Sequence, residues 1–388
     1  MPSPVVSREE ELYWIALRMV HGLGARTAGK LLQRLRTPQT IFRSSRTELE
    51  GAGVSGAVAQ SIVSGVAFED AAAQQEKMME AGAELVTLGD PRYPQLLREI
   101  FDPPILLFSR GRVDLLSSIS VGVVGTRRPT PYGLAVSERL SADLTHAGLT
   151  IVSGMARGVD SAAHKGALSA GGNTVAVLGC GVDVIYPSEN RKLAAEIAAK
   201  GLMVSEFPMG ATAFPQNFPI RNRVISGLSV GVLVIEGAQY SGSAITAKLA
   251  MDQGREVFAV PGNITSKASW GPNLLIKQGA KLVQDWNDVV AELPAESRRH
   301  LIEAGKQRLA AEMGETAGQA PASDAQAELG EAARRALVLL KVDASTHLDE
   351  VLEKAEDVSP SEMIAALFEL EMLGLVKQLP GKNFVKVW

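Results

Sequence analysis

The residues with the most chemistry to offer stand together in Phe214-Pro215-Gln216-Asn217-Phe218-Pro219-Ile220-Arg221-Asn222-Arg223. Two aromatic rings flank a loop, and two arginines two positions apart open the segment that follows. Aromatic faces accept bases by stacking and guanidinium groups take phosphates, so the combination suits a single nucleic-acid strand. The competing reading puts the phenylalanines in a core and pairs the arginines with Glu206 or Glu236, Arg223 being the better suited to that structural role. A second group, Gly125-Thr126-Arg127-Arg128-Pro129, offers a glycine turn, a hydroxyl and a guanidinium fork that matches a phosphate; the alternative is solvated loop arginines. In Ser153-Gly154-Met155-Ala156-Arg157-Gly158, Arg157 stands among small residues that admit a ligand close to the backbone. Ser241-Gly242-Ser243-Ala244, ahead of a helical stretch reaching Lys248, is a Ser/Gly-rich helix start of the kind that binds anions.

Enzymatic chemistry is poorly provided for. His164 has no cysteine or paired serine near it in the chain and is read as structural. Cys180 sits between Gly179 and Gly181 with no basic residue to lower its pKa, so it is read as a close-packed turn residue. No paired carboxylates, metal-ligand cluster or nucleophile–base pair is found, so no catalytic residue, metal or cofactor is expected.

These groups need a scaffold that brings several loops to one edge. Between 84 and 292, short apolar runs (Ser120–Val124, Thr150–Val152, Thr174–Leu178, Leu202–Ser205, Val230–Ile235, Val257–Val260) alternate with helical stretches. Continuous apolar strands alternating with helices predict an α/β, Rossmann-like, doubly wound parallel sheet, with ligands beyond the carboxyl ends of its strands. Residues 1–83 read as a helical domain with two helix-hairpin-helix-like (SAM-like) units, at His21–Gly24 and Gly51–Val54, or equally as two plain helix connections. Residues 293–330 have linker composition, and 331–388 read as a winged helix whose third helix opens on Ser359, Pro360 and Glu362.

The formal net charge of −4 means that a nucleic-acid site must be a local basic patch. The lone cysteine, the absence of a basic-then-apolar N-terminal stretch and the lack of any ~18-residue apolar run predict a cytoplasmic protein with no membrane span. Residues 331–388 carry seven Lys/Arg against ten Asp/Glu, and Ser359–Leu373 has three glutamates and no cation. Such a helix is repelled by groove phosphates, which argues against a sequence-specific transcription factor. Lys382 and Lys386 remain able to touch a DNA backbone.

In order along the chain, VGVVGTRRPTPYG, IVSGMARGVDSAAHKGAL, TVAVLGCGVDVIYPSENRKL, SEFPMG, NFPIRNRVISGLS, VIEGAQYSGSAITAKLAMDQGREVFAVPGNI and GPNLLIKQGAKLV resemble the successive blocks of the DprA/Smf family. The resemblance is dense over roughly 84–285 and looser in the flanking domains. It implies binding of single-stranded DNA without base specificity, a homodimer formed through the Rossmann-like domain, and loading of RecA recombinase in natural transformation. The family's G-S-R turn maps onto Gly125, Thr126 and Arg127, its N-F-P aromatic onto Phe218, and its following basic residues onto Arg221 and Arg223. Thr126 stands where serine is usual, and Gln216 where some members carry lysine. The DNA-binding set is therefore Gly125, Thr126, Arg127, Arg157, Gln216, Asn217, Phe218, Arg221, Arg223, Ser241, Gly242, Ser243 and Lys248. The rival is a phosphoribohydrolase-like nucleotide enzyme on a similar fold, but Pro261-Gly262-Asn263-Ile264 lacks the glycine run and glutamate that such enzymes carry there.

Overall fold

The computed structural model describes residues 7–301, 331–340, 346–355, 358–372, 376–379 and 383–386. They fall into two compact units, within 1–306 and 307–388.

The first unit is built on a nine-stranded sheet: β1 (Glu84–Thr87), β2 (Leu106–Gly111), β3 (Ser120–Val124), β4 (Thr150–Ser153), β5 (Thr174–Val177), β6 (Leu202–Ser205), β7 (Gly231–Val234), β8 (Glu256–Ala259) and β9 (Lys281–Leu282). The spatial order is β1-β2-β6-β5-β4-β3-β7-β8-β9. From β6 to β9 every pairing is parallel, with Val121 opposite Gly231 and Ile151 opposite Thr174. From β3 the chain first builds outward through β4, β5 and β6, then returns to the other side of β3 for β7. The reversal leaves a crevice beyond the carboxyl ends of β3 and β7, where such sheets bind their ligands. The parallel Rossmann-like sheet is as expected from the sequence; the two antiparallel strands at one end of it, β1 and β2, were not anticipated.

Burial on both faces follows from the two-residue period of a strand. Val152, Val175, Val232 and Val234 meet Val224, Ile225, Ala247 and Ala250 of the helices Asn217–Leu228 and Gly242–Asp252. Their neighbours Val123, Ile151, Leu233 and Ile235 meet Leu140, Leu144, Val159 and Ala163 of the helices Pro131–His146 and Val159–Ser169. Six helices between Arg8 and Glu80 precede the sheet. Their buried Ile15, Leu17, Leu31 and Ile41 join one core with Phe108, Ala176 and Met203 of the strands. Gln74 bridges the backbone of Met209, accepting from its N–H at 2.7 Å and donating to its carbonyl at 3.3 Å. The N-terminal helices are thus a layer on the sheet, sharing its core.

The second unit has helices Glu331–Leu339, Leu348–Lys354 and Pro360–Met372 and a three-stranded antiparallel sheet of Thr346–His347, Asn383–Lys386 and Val376–Leu379, with Asn383–Lys386 central. Ala336, Val351, Met363, Leu367, Leu370 and Phe384 form its core. Ser359 caps the third helix as expected: its hydroxyl accepts from the Glu362 N–H, and the Glu362 carboxylate accepts from the Ser359 N–H at 3.1 Å. This is the expected winged helix. Residues 302–330, most of the expected linker, and Lys382 lie outside the described residues. Among the described residues no helix is long and apolar enough to cross a membrane.

Candidate nucleic-acid interface

An open cavity of about 390 Å³ lies at the crevice beyond β3 and β7. It is lined by the turn after β3 (Gly125 to Arg128), by Phe218 and Arg221 at the start of one helix, and by Ser241, Gly242 and Ser243 at the start of another. A narrow cleft next to it shares Arg127 and Phe218 and adds Arg157, Gly179 and Tyr186. Four loops and two helix starts therefore converge, as several strands ending at one edge require.

The β3 turn is held by its backbone. The Thr126 N–H donates to the Glu236 carbonyl at 2.7 Å, and the Val159 N–H donates to the Thr126 carbonyl at 3.3 Å. Glu236, buried, accepts from the Thr130 N–H at 2.8 Å and hydroxyl at 2.6 Å, and so anchors the start of the helix Pro131–His146. Arg127 and Arg128 emerge from this rigid turn with exposed side chains. Arg127 lies over the Phe218 ring, 5.0 Å from its centroid.

Phe218 is half-buried, and Tyr186 stands beside it, ring centroids 5.7 Å apart and tilted by 34°. Gly179 must be small, because a Cβ there would come within 2.9 Å of the Phe218 ring. Asn217 donates to the Gly179 carbonyl at 3.0 Å, while Gln216 before it is exposed. Phe214 is 54% exposed, so neither phenylalanine of the loop is a core residue.

The two arginines of the helix are a different matter. Arg221 is 4% exposed and donates to the carbonyls of Gly154 (2.6 Å) and Val177. A Cβ at Gly154 would lie 2.5 Å from that guanidinium, so glycine is required there. Burial lowers the Arg221 pKa and raises that of the nearby buried Asp160, with each opposing the other's shift through their opposite charges. Arg223 is 7% exposed and ion-paired with Glu206 at 2.7 Å and Asp102 at 2.9 Å. The structure thus places Arg223, expected at the DNA, inside the protein and against Glu206, the partner that the competing reading gave it. Arg221, also expected at the DNA, lines the cavity but directs its guanidinium at the Gly154 and Val177 carbonyls behind Phe218.

Of the remaining expected residues, Arg157 is exposed and pairs with Glu189 at 2.9 Å across the surface. The Ser241 hydroxyl caps the helix Gly242–Asp252, accepting from the Ala244 N–H at 3.3 Å, and lies 2.8 Å from that of Ser243. Lys248 is exposed two turns along this helix and does not line the cavity. Tyr186 was missed; its only signal was an aromatic next to a proline in the loop after β5.

His164 and Cys180 are both buried. The Thr174 hydroxyl donates to the Ile151 carbonyl at 2.8 Å, so the His164 Nδ1–H donates to that hydroxyl at 2.7 Å. Complete burial pushes the His164 pKa down to about 3. Burial pushes the Cys180 thiol up to about 11, away from the thiolate a nucleophile needs. Among the described residues no group of three or more His, Cys, Asp or Glu is placed to hold a metal ion.

Comparison with known proteins adds the following. Residues 84–294 match the family DNA recombination-mediator protein A, and residues 320–382 match the DprA winged helix domain. The chain is 33% identical to Protein Smf of Synechocystis over 98% of its own length and 99% of that protein. It is similar to the X-ray structure of DNA processing protein A from Streptococcus pneumoniae, with a TM-score of 0.66 and 37% identity, over 73% of this chain and 98% of that one. A DNA processing protein A from Helicobacter pylori, described for its own single-stranded DNA binding mode, is similar over 55% of this chain and 99% of that one, with a TM-score of 0.50 and 32% identity.

Proposed function

Given that this chain belongs to the DNA recombination-mediator protein A (DprA/Smf) family, we propose that it binds single-stranded DNA without base specificity and passes the strand to RecA recombinase. The observation that carries this reading is the pairing of exposed Arg127 with the Phe218 ring at the mouth of the crevice. When a strand enters, Arg127 turns to a phosphate and its ring partner is freed for a base. Tyr186 offers a second face, Arg128 and Arg157 further charge, and the start of the helix Gly242–Asp252 further N–H groups. None of these contacts reads a base edge, hence the indifference to sequence. The strand is bound and not altered: the nearby His164 and Cys180 are buried and proton-locked, and the Glu236 carboxylate is committed to Thr130.

A homodimer belongs to the same reading. Leu282 (41% exposed) lies in edge strand β9, Trp286 (39%) follows it, and Ile264 (83%) and Trp270 (55%) stand between β8 and β9; an open edge strand and exposed apolar side chains suit a second copy. Titrating labelled oligo-dT, oligo-dA and mixed-sequence strands, then adding RecA, tests the function. Affinities within about threefold of one another (~0.65 kcal/mol) and faster RecA assembly on the bound strand are expected. Strong dependence on base sequence, or RecA assembly unchanged by the protein, would contradict it.

A further inference from the structure

Residues 12–47 contain seven Lys/Arg and not one carboxylate, in a chain whose formal net charge is −4. Within this run the helix Ala25–Leu35 carries Arg26, Lys30 and Arg34 at four-residue spacing, which places them in one stripe rising about 6 Å per step. All three are exposed. Arg34 is tied at 2.7 Å to the Gly51 carbonyl, whereas Arg26 and Lys30 form no ion pair among the described residues. Arg26 lies 4.1 Å from the centroid of the Phe101 ring, and that ring is 73% exposed. An arginine over an open aromatic face is the arrangement that Arg127 and Phe218 show in the central crevice.

The two arrangements are physically joined. Asp102, next to Phe101, is ion-paired with Arg223 on the helix Asn217–Leu228, five residues beyond Phe218. Five residues of helix span about 7.5 Å. The N-terminal helices are fixed against the same region through Arg18, whose Nε donates to the Glu206 carbonyl at 3.3 Å. Phe214 and Ile220, 54% and 45% exposed, stand on the loop and first turn that lead into this helix.

We propose that Arg26, Lys30 and Phe101 form a second single-strand contact, which takes the stretch of DNA that leaves the central crevice. Resting on the function proposed above, it gives the N-terminal helical layer a direct part in binding. Phe101 receives a base, and Arg26 and Lys30 neutralise successive phosphates; the carboxylate beside the ring, Asp102, is already paired with Arg223. A polyanion suits this face, and the stacking ring beside the charges selects a single strand over an acidic protein.

The test uses the full chain, the double variant Arg26→Ala/Lys30→Ala and the variant Phe101→Ala, each binding a short strand of about six nucleotides and a long one of about twenty. All three side chains are exposed, so thermal melting should match the wild type. On the short strand, both variants should bind like the wild type. On the long strand, the double variant should lower the log–log salt slope by about 1.4, at ~0.7 for each phosphate contact. Phe101→Ala should weaken long-strand binding about tenfold with the slope unchanged, within the range for loss of one stacked base. Wild-type slope and affinity in the double variant on the long strand would overturn the proposal and leave the face to an acidic protein partner. Arg127→Ala, which should weaken both lengths, separates the two readings. If it alters neither while the double variant still lowers the long-strand slope, the central reading fails and only the contact at Arg26 and Lys30 stands.

Discussion

Arg221 and Arg223 are two residues apart on one helix and so point about 200° apart around its axis. One is drawn to the loop carbonyls of Gly154 and Val177, the other to Glu206 and Asp102. Arginine followed by arginine reads in the sequence as a phosphate clamp; which way each turns depends on the sheet beneath the helix, and no local pattern carries that. Arg223→Ala should therefore destabilise the fold by about 3–5 kcal/mol, since it strands the buried Glu206 carboxylate. Chemical denaturation checks this, and a variant that melts normally yet loses DNA would show Arg223 acting on the ligand. Arg127 and Phe218 were legible because a glycine turn and an aromatic between two prolines keep their meaning wherever the loop goes. Arg127→Ala should flatten the salt slope by about 0.7. Phe218→Ala should cost about 1–3 kcal/mol of binding without altering the slope. Both should keep the fold, since Arg127 is exposed and Phe218 only half-buried. Normal binding by folded Phe218→Ala would rule out stacking there.

At the scale of elements, the parallel strands were legible because burial on both faces makes each a continuous apolar run, as in Ser120–Val124. The antiparallel strands β1 and β2 were not, since Glu84–Thr87 and Leu106–Gly111 pair only after a long connection. Nor did the sequence reveal that the N-terminal helices share the sheet's core, because helix periodicity identifies an apolar face without its partner. The helix Val159–Ser169 carries a prediction of its own. His164 is neutral in the fold, with its pKa lowered to about 3 by burial, whereas in the unfolded chain it titrates near 6.5. Between those values the unfolded state binds more protons, so stability is full above pH 6.5 and falls with acidification by up to ~1.4 kcal/mol per pH unit. Melting of wild type and His164→Gln from pH 7 to pH 5 checks this; the variant should lose that part of the slope. The winged helix is acidic and its third helix lacks cations, so deleting residues 307–388 should leave single-strand affinity within about threefold. A tenfold loss would make that unit part of the DNA site.

For the molecule as a whole, a net charge of −4 gives no general attraction for DNA, so the proposed function rests on the crevice and on the cationic stripe of the N-terminal layer. If the apolar side chains around β9 join two copies, Leu282→Arg should yield a monomer in sedimentation with its melting unchanged, while an unaltered dimer would place the contact elsewhere. Arg127, Arg128 and Arg157 at the crevice imply a salt slope near −2 on a short strand, at ~0.7 for each contact. The arrangement also sets a preference between forms of DNA, because stacking on Phe218 and Tyr186 needs an unpaired base. The most direct measurement is competition between a single strand and a blunt duplex of equal length for the full chain. Single strands should bind at least about tenfold more tightly, ~1.4 kcal/mol, with the advantage lost in Phe218→Ala. Equal affinity for the two forms would contradict the account.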